Sequence, residues 1–273
     1  MQRLLLLLPV LFLSAGCYED RIGCLEVAAS NFDILADEAC PDCCEFPQLS
    51  VDLERGFGPE DLVLADTFLD AFGNRVRLID LRAYWSDLAL TATDDEVFAA
   101  GATPVELEVA VGTDTVLADF AETVILPQTT GSTVTTVGRV RTGEAALNGL
   151  NFMLGFAEDF PAVVPESAPT TRPLRTQARL LNFNDGAGYV TLSLEYELVD
   201  TGEARRVDVY ADRMVNLPFP GTLDPIPGAD LTLEIRLDYA SLLQNLDLTA
   251  DNETLAAALP DRYVAALLVT GAR

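Results

Sequence analysis

The stretch Asp70-Ala-Phe-Gly-Asn-Arg-Val-Arg-Leu-Ile-Asp-Leu-Arg-Ala-Tyr-Trp-Ser-Asp-Leu-Ala-Leu90 sets the reading of everything around it. It opens on a turn signal, Gly73-Asn74, and runs on through β-favouring residues. Ile79, Leu81, Ala83 and Trp85 alternate on one face, while Tyr84, Leu88 and Leu90 make the other face apolar too. A strand apolar on both faces, or one that changes phase partway, is central in its sheet or bulged. The only tryptophan of the chain lies here, so a core strand is expected.

The pattern continues on either side. Val105 to Val111, Val190 to Leu198 and Leu231 to Tyr239 alternate cleanly between apolar and polar residues, as half-buried antiparallel strands do. Leu49 to Glu54, Val134 to Val140, Leu150 to Phe156 and Arg206 to Ala211 read as further strands. The turn cluster Asn182 to Gly188 would join Arg179–Leu181 to Val190 as a hairpin. Pro161 to Pro173, with four prolines, reads as a long ordered loop. After Asp247 the period becomes helical: Asn252 to Leu259, then Pro260 restarting a helix through Leu268. The fold class expected is mainly β: an antiparallel two-sheet β-sandwich with a small disulfide-stapled N-terminal module and a short C-terminal helical tail.

The first 16 residues read as a targeting segment. Arg3 supplies the positive end, Leu4 to Leu13 the apolar run, and Ser14-Ala15-Gly16 the small residues ahead of Cys17. Leu-Ser-Ala-Gly-Cys resembles a bacterial lipobox, which makes Cys17 the expected lipidation site and the membrane a partner through its acyl chains. Residues 17–47 then form a Cys-rich tether and residues 48–273 the sandwich with its helices. Once Cys17 is set aside, Cys24, Cys40, Cys43 and Cys44 remain; an even set in an exported chain predicts two disulfides, of open connectivity. The adjacent Cys43 and Cys44 are not expected to pair with each other. Cys40, Cys43 and Cys44 could alternatively hold a soft metal. Asn31, Asp33, Asp37 and Glu38 offer oxygens to calcium, against the simpler reading of an Asx-turn with solvated acids.

Composition removes several function classes. The chain has 17 Lys+Arg, every one an arginine, against 43 Asp+Glu and no histidine, a formal charge of −26. Such a surface repels nucleic acid. Without histidine there is no imidazole base, no Ser-His or Cys-His pair and no imidazole metal ligand; without lysine there is no Schiff base. Paired carboxylates such as Asp94-Asp95-Glu96 could in principle form a glycosidase dyad, but 43 acids make pairs by chance. No catalytic residue is assigned, and the chain is expected not to be an enzyme.

Tyr84-Trp85-Ser86-Asp87-Leu88-Ala89-Leu90, with Leu150-Asn151-Phe152-Met153-Leu154-Gly155 and Gly188-Tyr189 farther on, resembles the landmark motifs of the MbnP-like proteins. That family is named for a copper-binding partner of methanobactin systems, and many of its members are lipoproteins of Bacteroidota. Gly23-Cys24 through Cys40 also resembles a Cys-bounded module of Bacteroidota surface proteins. The family resemblance implies motif roles for Tyr84, Ser86, Asp87, Gly155, Pro173, Leu174, Gly188 and Tyr189. It also implies a copper site, with a His before Pro-Leu and a Met-x-Trp-x-Trp before Gly-Tyr. Here those places read Arg172-Pro173-Leu174 and Leu181-Asn182-Phe183-Asn184-Asp185. Arg, Leu, Phe and Asp give no soft or borderline ligand set, so no copper cofactor is expected, and calcium is the cation the acids could hold. The expectation is a non-catalytic envelope lipoprotein, in the outer membrane or at the cell surface, that has lost the family's copper site. Its partner would be an envelope protein such as a di-haem peroxidase or an outer-membrane receptor. The alternative is a copper- or metal-handling lipoprotein working with a di-haem cytochrome c peroxidase-type partner.

Overall fold

The computed structural model of the chain describes residues 19–101, 104–120, 125, 134–157, 160–176 and 188–273. In chain order its first elements are β1 (Ile22–Gly23), β2 (Glu38–Ala39), β3 (Gln48–Phe57), β4 (Glu60–Asp61), β5 (Phe68–Leu69), β6 (Arg75–Ala83), β7 (Trp85–Ala92) and β8 (Val97–Gly101). They are followed by β9 (Val105–Val111), β10 (Asp114–Phe120), β11 (Val134–Val140), β12 (Leu147–Leu154) and the helical turn α1 (Pro173–Thr176). The last third holds β13 (Leu192–Leu198), β14 (Glu203–Val209), β15 (Arg213–Leu223), β16 (Leu231–Asp238), α2 (Tyr239–Leu243), α3 (Asn252–Ala265) and β17 (Leu267–Ala272).

The organising stretch is two strands in two sheets. β6 belongs to a four-stranded sheet ordered β14-β13-β6-β5, and β7 to a nine-stranded sheet ordered β15-β12-β7-β8-β11-β3-β16-β17 with β4 on β3. The expected change of phase is a bulge in β6. Asp80 pairs with Glu195 and Leu78 with Tyr196, leaving Ile79 as the extra residue. Ile79 is therefore turned outward, 45% exposed, rather than sharing the face of Leu81 as the alternation alone suggested. One inserted residue shifts a period-2 pattern by one place, so Val76 and Leu78 before it and Leu81 and Ala83 after it all face the core.

Buried side chains from both sheets fill the space between them: Leu49, Val51 and Leu53 of β3, Leu150 and Phe152 of β12, Leu194 and Tyr196 of β13, Leu233 and Ile235 of β16. The larger sheet curls until its ends, β15 and β17, lie against each other. Its pairing is not wholly antiparallel, as had been expected, because β16 runs parallel to β3.

The C-terminal part is not the two-helix tail expected. Asp238 caps α2, accepting a hydrogen bond from the Ala240 amide at 3.1 Å, and Asp251 caps α3 through the Thr254 amide at 2.8 Å. Pro260 does not restart a helix; it lies inside α3. The residues after Ala265 are not helical either. They form β17, with Leu267 and Val269 buried, Leu268 and Thr270 exposed, and a ladder to β16. Ala-Ala-Leu-Leu-Val has apolar neighbours at both helical and strand spacing, and the free edge of β16 selects the strand.

In the N-terminal module, β1 and β2 pair in parallel and one disulfide joins Cys24 to Cys44, with Cα atoms 5.0 Å apart. The second expected bridge is absent: Cys40 and Cys43 are thiols. Cys40 caps and Cys43 ends a 3₁₀ turn, Pro41–Cys43, and the Cys43 thiol donates to the Cys40 carbonyl at 3.0 Å. The module rests on the sandwich through the Glu26 carboxylate, which accepts from Arg141 at 2.7 Å, and through a close approach of Ala29 to Gly228.

Candidate functional site

The crossing from one sheet to the other is locked at Tyr84. Its amide donates to the Thr191 carbonyl at 2.9 Å, and its own carbonyl accepts from the Gly155 amide at 2.8 Å. Ser86 Oγ, fully buried, donates to the Gly155 carbonyl at 2.8 Å. Gly155 has φ +101, and a Cβ there would come within 2.6 Å of Thr191 Cγ2, so glycine is required on two counts. One residue beyond Ser86, Asp87 adopts φ 52. Ser86 pairs with Met153 and Ala89 with Asn151, which places Asp87 and Leu88 together opposite Phe152 as a second bulge. A short polar side chain tolerates left-handed backbone better than most, which accounts for an aspartate here. Trp85 then stacks on Phe152, centroids 4.2 Å apart, and donates Nε1–H to the Tyr263 hydroxyl at 3.0 Å. Tyr84, Ser86, Asp87 and Gly155 are thus one junction, and its chemistry is structural.

Beside the junction lies an aromatic cluster distinct from the main core. The Tyr84 ring is 4.8 Å from Phe156 and 6.4 Å from Tyr189; Phe156 is 4.7 Å from Tyr189 and 4.5 Å from Phe160. The segment after Phe160 runs along β9, with Ala110 donating to Ala162 and Val164 to Glu108, both at 2.8 Å. Tyr189 holds that segment by accepting from the Val163 amide at 2.8 Å and donating to the Pro161 carbonyl at 3.2 Å. Burial raises the Tyr84 phenol well above the ordinary tyrosine range, with the neighbouring Tyr189 adding to the rise. Tyr189 is pushed up to about 12 by burial, partly offset by the Val163 N–H.

Leu174 of α1 closes the cluster, and a cavity of about 30 Å³ remains between it, Phe120, Phe160, Leu107, Pro173 and Arg172. Arg175 pins the approach by donating to the carbonyls of Glu166 at 3.0 Å and Ala168 at 2.9 Å. The structure therefore gathers Tyr84, Tyr189 and Leu174 from three parts of the sequence into one apolar cluster, with Pro173 beside Leu174 on the wall of the small cavity. Gly188, at φ +82, turns the chain into Tyr189. The expected hairpin and the run Leu181 to Asp185 lie outside the described residues. Sequence reasoning missed Phe120 and Phe160; neither belongs to an alternating strand core, and only their aromatic type hinted at packing.

This lining does not fit a copper ion. Arg172 lines the cavity, and its guanidinium has no lone pair to give a metal. The other walls are aromatic and aliphatic. Among the described residues, no group of three or more His, Cys, Asp or Glu side chains is arranged to hold a metal ion.

In the module Asn31, Asp33 and Asp37, three of the four residues offered to calcium, already bond to the backbone. Asp33 Oδ1 accepts from the Leu35 amide at 3.0 Å, the Asx-turn expected, and its other oxygen meets Arg21 at 2.8 Å. Asp37 accepts from the Arg21 amide at 3.0 Å. Asn31 donates to the Cys43 carbonyl at 2.7 Å and accepts from the Glu45 amide at 2.8 Å, clamping the Cys-rich turn. The side-chain hydrogen bond that the Cys43 thiol shares with Cys40 is the main reason that thiol titrates above its ordinary range, with burial adding to the rise.

The family model described as MbnP matches residues 47–257. Among solved structures, MbnP from Methylosinus trichosporium is similar at 17% identity, over 75% of this chain and 80% of that one, with a TM-score of 0.43. A search of curated proteins gave no match.

Proposed function

Because the chain belongs to the MbnP family, a family of copper-associated binding modules, we propose that it is a non-catalytic accessory or binding lipoprotein of the bacterial envelope that has lost the family's copper site. The observation that supports this reading is Arg172 on the wall of an aromatic cavity, directly before Pro173-Leu174, where the family resemblance implies a His. A permanent cation in that place opposes a second one, and the phenols of the adjoining aromatic cluster are held neutral by burial. What remains is a rigid scaffold whose aromatic cluster fastens the segment 160–176 to β9. That fits a module recognised by an envelope protein such as an outer-membrane receptor or a di-haem peroxidase.

Calorimetric titration of the Cys40→Ser/Cys43→Ser double variant with Cu(I) and Cu(II) tests the loss. Removing both thiols confines the measurement to the sandwich. Binding should be no tighter than about millimolar, since carboxylates alone prefer harder cations. A stoichiometric site tighter than micromolar would overturn the reading. The lipid anchor has its own check: Cys17→Ala should move the protein from the membrane to the soluble fraction, and membrane retention at the wild-type level would refute it.

A further inference from the structure

The N-terminal module holds two thiols that neither the scaffold nor the disulfide uses. Cys40 and Cys43 are three residues apart across the 3₁₀ turn Pro41–Cys43. With three residues per turn, that spacing brings side chains i and i+3 onto one edge. The Cys43 thiol is within 3.0 Å of the Cys40 carbonyl, which fixes its direction back toward its neighbour. Cys43 is exposed and Cys40 half-buried, so the pair is open to a ligand from solvent.

The backbone under both sulfurs is held from outside the turn. The Cys40 amide donates to the Gly23 carbonyl at 2.8 Å. The Cys43 carbonyl accepts from Asn31 at 2.7 Å, and the next residue, Cys44, is covalently tied to Cys24. The disulfide thus acts as a frame that presents a preset dithiol. Both sulfurs lie outside residues 47–257, the span shared with the family.

We propose that Cys40 and Cys43 form a two-coordinate thiolate site for a soft monovalent cation, Cu(I) being the physiological member of that class. Thiolate sulfur selects Cu(I) over harder ions, and Cu(I) accepts a low coordination number that two ligands can complete. Binding replaces protons with metal: each S–H bond breaks, two protons leave to solvent, and two S–Cu bonds form. No electrons are exchanged. Two neighbouring thiolates repel each other, and a cation placed between them removes that repulsion.

The test uses the full chain in a Cys17→Ser background, so that no third thiol competes, with Cu(I) kept reduced by ascorbate. A thiol assay should find two free thiols per chain. Competition against a chromophoric Cu(I) chelator should then show one equivalent bound, and X-ray absorption should show two sulfur neighbours. Cys40→Ser and Cys43→Ser should each weaken binding by more than about 100-fold, beyond the 10–100-fold lost when a merely supporting neighbour of a metal site is removed. Alkylating the two thiols of the folded protein should abolish binding as well, which covers the case of a variant that fails to fold. Absence of bound Cu(I) at one equivalent, binding unmoved by either replacement, or a thiol count of zero would each overturn the proposal. The sandwich titration on the double variant is independent of all three results.

Discussion

The junction at Tyr84–Trp85 and the turn at Cys40–Cys44 are both tightly constrained, and they are constrained by opposite means. At the junction the side chains that fix the geometry are buried, all but Asp87: Ser86 on the Gly155 carbonyl, Trp85 on Phe152 and Tyr263, Tyr84 among aromatic rings. Apolar area does most of the holding there, and hydrogen bonds choose the geometry. The Cys turn has almost no buried area. It is held by one covalent bridge and by side chains bonding to backbone, such as Asn31 to Cys43 and Glu45. Small, loop-rich segments that cannot build a core use this second means. The difference has a functional edge. A dry junction excludes ligands and serves as scaffold, whereas a stapled, wet turn leaves its side chains available for chemistry.

The largest expected effect lies at the dry site. Trp85→Ala empties the space against Phe152 and leaves the Tyr263 hydroxyl, fully buried, without its donor. The cost should be about 3–5 kcal/mol in a denaturant unfolding curve. A loss under about 1 kcal/mol would mean that the seam between the sheets is not what holds them together.

The wet site should answer to a different change. Cys24→Ser/Cys44→Ser opens a bridge spanning 20 residues, and loop entropy puts its contribution near 3 kcal/mol. That effect should stay local. Hydrogen exchange should quicken over residues 19–47, while the unfolding midpoint of the sandwich moves little. If the sandwich loses stability in step with the module, the Glu26–Arg141 and Ala29–Gly228 contacts couple them more tightly than their sparse packing suggests.

The two regions also differ in how far their sequences could be read. The core of the sandwich was legible because alternation is a direct image of burial: Val105 to Val111 is a strand throughout, the expected Val190 to Leu198 is one from Leu192, and the expected Leu231 to Tyr239 is one to Asp238. Alternation shows that the phase changes but not which residue is inserted, so the place of the bulge at Ile79 and the change of sheet at Tyr84 are set by pairing across the sheets. The terminal strand β17 was hidden for another reason. Its partner is β16, thirty-odd residues away, and a long-range edge overrode the local helical spacing. The motif residues around Tyr84 and Gly155 were visible as a pattern, but their work as a backbone lock was not. In the module the bridge of Cys24 across the loop was foreseen, but not its partner. Counting cysteines could not show that a 3₁₀ turn would leave Cys40 and Cys43 as thiols.

The smallest effect expected is a pH dependence seated in the aromatic cluster, and its sign follows from linkage. Tyr189 has its phenol raised from 10.0 to about 12, chiefly by burial. A raised folded-state value means that the neutral phenol stabilises the fold. That contribution is fully present below the unfolded value and is lost as pH climbs from there through the folded one. Stability should therefore fall between pH 10 and about 12. Tyr84, Tyr239 and Tyr263 are raised by burial as well and contribute to the same fall, so the wild-type curve alone does not isolate Tyr189. The difference between wild type and Tyr189→Phe does. The variant should be somewhat less stable at neutral pH, having lost the bonds to Val163 and Pro161, and its alkaline fall should be shallower. In the ultraviolet, the tyrosinate signal missing from the variant should be one that appears above pH 10 in the wild type. If that signal instead appears at the pH of an exposed tyrosine, water reaches Tyr189, and the contrast between a dry cluster and a wet turn fails at its aromatic end.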